Sequence, residues 1–373
     1  MRILVVGHSY VVDSNRQFWN QFANQENCQI DMVVPKDWQS NLIKILNYKF
    51  NPSTDKNIKK IFPISVYKNG NGSFYHYHWK DFYNVLRMNQ YDSIFIFQET
   101  WSFSLAQLIF LKLFTNNRST KIHLAVCQNI IKPKLAWLIP WEIILTSFVH
   151  RIWFCTYEIL KVLEYKKINC KTAYLPFTYD QDIYLPKIKE IGSIIKVGFI
   201  GRITEEKGVA DLVMACQRLI EEGFKIELHL AGGGSLEKDI NQNFVIKHGL
   251  IPHIEAHQFY HQIDILVLPS HTKKFWKEQF GRVLVEATAS GTPVIGSSSG
   301  AIPEVIEAIG FGNVFKERDV DDLKTQLQSL IYQMQSSDYH QKMQTAIKNT
   351  LALSSHKEVG HKLFMQMYSD LTD

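Results

Sequence analysis

The sequence is short of cysteine. Its 373 residues hold five, Cys28, Cys127, Cys155, Cys170 and Cys216, odd in number, scattered, and never spaced as C-x-x-C. That excludes a disulfide framework and a zinc ribbon, fits a reducing compartment, and leaves the thiols as small buried hydrophobes. An uninterrupted apolar run of membrane-spanning length is also missing. The longest, Leu135 to Cys155, is broken by Pro140, Glu142, His150 and Arg151. It is expected to form a core helix and strand, the rival reading being a surface that dips into lipid through Trp137 and Trp141. The N-terminal MRILVVGHSY has no small-residue cleavage site and reads as a first buried strand, not a signal peptide. Charge of one sign is scarce too: the net formal charge is +5. This excludes a dedicated nucleic-acid binder and suits an anionic ligand or a peripheral contact with anionic lipid. The expected location is cytoplasmic, with the cytoplasmic face of the membrane as the place of any such contact. No low-complexity tract interrupts the chain, and 46% hydrophobic against 21% charged residues is enough for a packed core.

What is present is an alternation of short apolar runs and helical patterns. In the first half the runs are Ile3 to Gly7, Ile30 to Pro35, Ser93 to Gln98 and Lys121 to Gln128, with helical stretches such as NRQFWNQFA and SLAQLIFLKLF. The runs are apolar throughout, as parallel strands covered on both faces are. A polar stretch with Pro176 and Pro186 follows. The pattern then restarts at Ile194 to Gly201, Lys225 to Gly233, Asp264 to Ser270 and Thr292 to Ser298. The expected fold is α/β, two Rossmann-like doubly wound domains. Their expected bounds are 1–180 and 194–354, with a linker at 181–193 and a C-terminal helix, 355–373, returning to the first domain. Ligands of such sheets bind beyond the carboxyl ends of the strands.

Three clusters fall at those ends. In GFIGRITEEKG, Gly201 closes a strand, Arg202 and Lys207 follow, and Gly208 precedes a helix. Glycine admits close backbone approach, the helix start favours anions, and Arg and Lys suit phosphate, so the cluster reads as a diphosphate clamp. In LHLAGGGSLEKDI, Gly232, Gly233 and Gly234 are expected between a strand and a helix. The position a dinucleotide fold gives to its third glycine holds Glu237, so a tight turn beside a ligand is the better reading than a nicotinamide site. The third cluster runs EQFGRVLVEATASGTPVIGSSSGAIPEVI. Glu278 is placed in a loop and Glu286 on the next helix. A carboxylate accepts two hydroxyl hydrogen bonds, which suits a sugar or ribose diol. The helix start near Gly281 and Arg282 offers N–H groups to phosphate. Asp319, Asp321 and Asp322 read as an acidic helix start, and His76 and His78 have no companions that would complete a metal site.

The E-x7-E pattern of Glu278 and Glu286, with GRITEEKG before it and GTPVIGSSSGAIPEVI after it, resembles the retaining nucleotide-sugar glycosyltransferases of family 4, whose GT-B fold sets two Rossmann-like domains about a cleft. The resemblance is strong from Val197 to Ile306. It implies that Arg202 and Lys207 hold the donor diphosphate, Glu278 contacts donor-sugar hydroxyls and Glu286 binds the nucleotide ribose. Backbone at Gly201, Phe280 and Gly281 would approach the donor, with Gly232 and Gly233 beside it and His248 and Gly249 near the base. It implies no cofactor and no bound metal, a UDP- or GDP-sugar donor, and a glycan or lipid-linked glycan acceptor. The first domain departs from the family pattern. GHSYVVDSN replaces a Gly-Gly turn, and Gln98, Glu99 and Thr100 stand where a His is usual. Glu99 is expected to contact acceptor or donor sugar, or else to cap the helix beginning near Ser102. Ser9, Gln98, Gln128 and Asn129 complete the expected acceptor side. The alternatives are a non-catalytic nucleotide-sugar binder or scaffold of a polysaccharide assembly, and a nucleotide-sugar epimerase of the same fold.

Overall fold

A computed structural model of the chain describes residues 1–39, 45–72 and 74–372. It divides into two units, 1–176 with 356–373, and 177–355. Each is built on one parallel sheet. In unit 1 the strands are β1 (Arg2–Val6), β2 (Gln29–Pro35), β3 (Lys60–Ile64), β4 (Ser93–Phe97), β5 (Lys121–Val126), β6 (Arg151–Phe154) and β7 (Lys171–Tyr174), in the order β7-β6-β5-β4-β1-β2-β3. In unit 2 they are β8 (Ile195–Ile200), β9 (Ile226–Ala231), β10 (Val245–Gly249), β11 (Ile265–Leu268), β12 (Val294–Ser297) and β13 (Asn313–Phe315), in the order β10-β9-β8-β11-β12-β13.

Both orders reverse direction beside the first strand of the sheet. In unit 1 that point lies between β1 and β4, where Val6 stands opposite Ile96. In unit 2 it lies between β8 and β11, where Gly198 stands opposite Leu266. The loops leaving paired strands part there and open a crevice at the carboxyl ends.

The central strands carry the apolar runs read from sequence. β1, β4 and β5 in unit 1 and β8, β9, β11 and β12 in unit 2 are buried along most of their length. The edge strands β3, β7, β10 and β13 escape that reading because one side faces solvent and their sequences are mixed. KIFPI even contains Pro63, which an edge strand tolerates. The expected helix after Gly234 is absent. Residues 235–239 form turns instead. The stretch 181–193 carries no helix or strand, yet Tyr184 within it is buried in the unit 2 core.

The C-terminal helix His356–Thr372 packs on the helix Gln17–Gln25 of unit 1. Asp373, the last residue of the segment expected there, lies outside the described residues. Asp370 is fully buried and clamps Arg151 of β6 in a two-pronged pair, Nε to Oδ2 at 2.7 Å and Nη2 to Oδ1 at 2.6 Å. Arg's planar fork suits this geometry. The Asp370 carboxyl stays below its usual range: burial raises it, but Arg151 and the nearby His123 and His150 more than offset that.

His123 on β5 gives a pH prediction. Burial pulls its imidazole down from 6.5 to about 3, against a smaller opposing effect of Asp370. The unfolded chain therefore binds a proton that the fold refuses across that window. Stability should fall as pH drops from 6.5 toward 3, with a limiting slope of roughly 1.4 kcal/mol per pH unit for this proton. His123→Gln should flatten that part of the curve in urea unfolding measured at several pH values. Identical slopes in the two proteins would show that His123 titrates normally.

Candidate functional site

At the crevice of unit 2 the chain leaves β8 through Gly201 and Arg202 and makes a short 3-10 turn, Glu205–Lys207. It reverses at Gly208, whose left-handed φ of +66° glycine tolerates, and enters the helix Val209–Glu221. A Cβ at Gly208 would lie 1.8 Å from the carbonyl oxygen of Pro269, so glycine lets this loop press against the end of β11. The loop leaving β11 carries Ser270, Trp276 and Glu278. Lys207 Nζ meets Glu278 Oε2 at 2.6 Å, and Ser270 Oγ donates to the same oxygen at 2.9 Å. The Lys207 ammonium also lies over the Trp276 ring, 4.9 Å from its centroid. Two residues 71 positions apart thus form an ion pair at the switch point of the sheet. Arg202 does not join them. Its guanidinium reaches Glu206 at 3.2 Å and is well exposed.

Glu286 lies on the helix Arg282–Ala289, which starts at Gly281 with φ of +78°. It is only 3% exposed. Its Oε1 meets His253 Nε2 at 3.1 Å and Arg282 Nε at 2.9 Å, and Tyr260 donates to Oε2 at 2.8 Å. Burial acts to raise the carboxyl, but Arg282, His253 and Tyr260 hold it below the usual range. A carboxylate has about four acceptor positions, so Oε2 keeps one for a hydroxyl. The Phe280 ring is buried against Phe177, at 5.8 Å between centroids, and leaves only its backbone for a ligand.

The glycines after β9 have a packing reason. A Cβ at Gly232 would sit 1.8 Å from the Gly201 carbonyl oxygen, and one at Gly234 would sit 2.3 Å from that of Ile203. Gly233 accepts the Ile203 N–H at 3.0 Å, and Gly232 donates to the Gly249 carbonyl at 2.6 Å. Backbone thus lies on backbone across the ends of β8, β9 and β10. His248 on β10 is bonded to His229 at 2.9 Å, with rings 5.2 Å apart, and burial and that neighbour lower its pKa.

Unit 1 has a cavity of about 170 Å³ at its own switch point, lined by His8, Gly72, Phe97, Gln98, Glu99, Ala125 and Cys127. Gln98 and Glu99 reach it as expected. Ser9 does not line it. Its neighbour His8 does, and Ser9 uses its carbonyl to accept from Val12 and Asn15. Glu99 does not cap the following helix either. Ser102 does so, accepting the Leu105 N–H, while Glu99 Oε1 accepts the Cys127 N–H at 3.3 Å. Burial raises the Glu99 carboxyl, partly offset by Lys166, the Cys127 and Gln128 N–H groups and Lys132. Burial also brings His8 down to about 4. Gln128 turns away to Lys166, accepting its ammonium at 2.8 Å, and Asn129 is buried. Lys166 pairs with the buried Glu142 at 2.7 Å. His78 is bonded to Asp81 at 2.9 Å and His76 stacks on Tyr67. Among the described residues, no group of three potential metal ligands occurs.

Sequence reasoning missed Ser270, Trp276, His253, Tyr260 and His8. Ser270 could have been found, since it ends the run DILVLPS at a strand's carboxyl end. The others carry no motif and are recruited by folding alone.

Residues 181–350, all within unit 2, match the model of the family described as glycosyl transferases group 1. The chain is similar to the capsular polysaccharide biosynthesis glycosyltransferase CapM of Staphylococcus aureus, at 25% identity over 179 residues, covering 46% of this chain and 43% of CapM. It is also similar to glycogen synthase of Mycobacterium tuberculosis, at 32% over 142 residues, covering 36% and 33%. The chain thus spans less than half the length of these curated relatives. Among solved structures, Anabaena HepE in complex with UDP has a TM-score of 0.72 at 13% identity, covering 99% of this chain and 100% of HepE. Sucrose-phosphate synthase from Thermosynechococcus elongatus has a TM-score of 0.69 at 14% identity, covering 99% of each chain. At such identities the likeness is one of fold, and the fold is that of the GT-B glycosyltransferases.

Proposed function

We propose that this chain is a glycosyltransferase whose unit 2 holds a nucleoside-diphosphate sugar and whose unit 1 receives a glycan or lipid-linked glycan acceptor, with retention at the anomeric carbon. The observation that carries the proposal is the Lys207–Glu278 pair at the switch point of unit 2. It sets a cation for departing diphosphate beside a carboxylate for sugar hydroxyls. The family match over the same unit supports this reading. Negative charge grows on the diphosphate as the glycosidic bond breaks, and Lys207, with Arg202 close by in sequence, stabilises it where it forms. Glu278 orients the sugar so that the acceptor attacks from the face the diphosphate leaves. Glu286, held by three partners, receives a ribose hydroxyl. In this scheme the protein's cations take the part a metal would otherwise play.

The test is release of nucleoside diphosphate from a panel of UDP- and GDP-sugars, with and without acceptors, in excess chelator, with the product anomer read by NMR. Transfer that survives chelation and keeps the donor's configuration is expected. An inverted product removes retention, activity restored only by a divalent ion removes the metal-free scheme, and epimerised donor without acceptor makes the chain an epimerase.

For unit 1 we propose that Glu99 contacts acceptor or donor-sugar hydroxyls in the 170 Å³ cavity. Glu99→Gln keeps an acceptor for the Cys127 N–H. It should therefore leave melting temperature and nucleotide affinity nearly unchanged while lowering transfer at least about tenfold, the scale of one lost charged hydrogen bond. A lowered melting temperature with full activity in the folded fraction would make Glu99 a structural residue.

A further inference from the structure

The helix Ile139–Thr146 is inside out, and the 3-10 turn Pro133–Leu138 before it buries none of its residues. The helix buries Glu142, Leu145 and Thr146. Outward it turns Trp141, Ile143 and Ile144, which are 39%, 41% and 55% exposed, and the adjoining Trp137 is 73% exposed. The expectation of a core segment thus fails for this outer face. An ordinary surface helix has the opposite arrangement, apolar residues in and charges out. The cost of burying Glu142 is offset by Lys166 at 2.7 Å and by the Thr100 hydroxyl. The consequence is that residues 131–148 expose no anionic group. Their charged residues besides Glu142 are Lys132, half-buried, and Lys134, exposed.

We infer that this face docks on an anionic lipid bilayer. Tryptophans at the border of an apolar patch sit at headgroup depth, where an apolar ring and a polar N–H are both accommodated. Flanking lysines add attraction to anionic headgroups. Turning the segment's one carboxylate inward removes the group that such a surface would repel. Among the described residues no helix is long and apolar enough to cross a membrane, so the contact is one of lying on the surface. The same segment reaches the sheet's carboxyl end, since Gln128, Lys132, Leu138 and Glu142 line one small cavity with Trp101 and Lys166. Docking does not depend on the transferase reading. Its corollary, an acceptor carried by lipid, rests on that reading.

The experiment is flotation of the full chain with phosphatidylcholine vesicles, plain or carrying about one third phosphatidylglycerol. The chain should float with the anionic vesicles, more weakly as salt rises, because screening shortens the reach of Lys134. Trp137→Ser with Trp141→Ser should lower the partition constant at least about tenfold with unchanged melting temperature. Lys134→Gln should weaken binding and its salt dependence. Absence of flotation with anionic vesicles, or equal flotation of the tryptophan variant, overturns the inference. A dimer in solution that the tryptophan variant converts to monomer overturns it too, by assigning the face to a second copy. Transfer to lipid-linked and soluble acceptors, measured separately, tests the corollary alone.

Discussion

Lys207→Ala should lower kcat/KM for the nucleotide sugar by at least about tenfold, and on the order of 10²–10³ if the contact tightens in the transition state. The lower bound comes from the value of a charge-assisted hydrogen bond, about 1.5–3 kcal/mol. The larger figure applies because the ammonium is already placed: Glu278 at 2.6 Å and the Trp276 ring at 4.9 Å hold it at the crevice before any ligand arrives. Removing it also leaves Glu278 with Ser270 as the remaining partner on Oε2 named above. Arg202→Ala should cost less, because that guanidinium is exposed and paired with Glu206. Steady-state kinetics of both variants decide the matter. Unchanged kcat/KM in Lys207→Ala would place the diphosphate elsewhere.

The second large effect belongs to a residue with no side chain. Gly300→Ala should destabilise unit 2 by about 2–6 kcal/mol, the sum of left-handed backbone strain and overpacking. Gly300 has φ of +57°, and a Cβ there would lie 2.0 Å from the Glu278 carbonyl oxygen. That neighbour is backbone and cannot rotate aside, so the Glu278 loop must move and donor use should fall with stability. Gly223→Ala is the internal control. Gly223 has φ of +95° but nothing within 4 Å of its Cβ position, so it should show the strain component alone. Urea unfolding of both variants separates the two contributions. Equal losses would mean that the approach of Gly300 to Glu278 has no energetic weight.

The family match lies in unit 2, and legibility follows the same division. Gly201, Lys207, Glu278, Gly281 and Glu286 sit in contiguous motifs whose spacing is fixed by one strand-turn-helix each, so their places could be read in line. Unit 1 offers no such motif. Gln98 and Glu99 are legible because they end an apolar strand, whereas nothing in the sequence favours His8 over the expected Ser9. Both follow β1, and only the 3-10 turn His8–Val11 decides which of them faces the cavity. The outer face of 135–155 is not legible in the sequence because the helix Ile139–Thr146 is apolar nearly all round, a pattern that ordinarily marks a buried helix and singles out no exposed side.

The sequence by itself determined what is local: the central strands, from unbroken apolar runs; the helix starts at Gly208, Gly281 and Asp319; and the candidate phosphate and hydroxyl groups at strand ends. Tertiary structure alone decided what depends on long-range closure. It joined Lys207 to Glu278 across 71 residues, gave Glu286 its partners His253 and Tyr260 at separations of 33 and 26, and set Gly232 against Gly201. It turned Glu142 inward to Lys166, 24 residues on. The physical reason is that the apolar run marking a buried strand and the residues marking a helix start are written in consecutive positions, although the strand's hydrogen bonds are long-range. An ion pair or a backbone contact between loops exists only after the sheet has set its strand order and brought the carboxyl ends of β8 and β11 side by side.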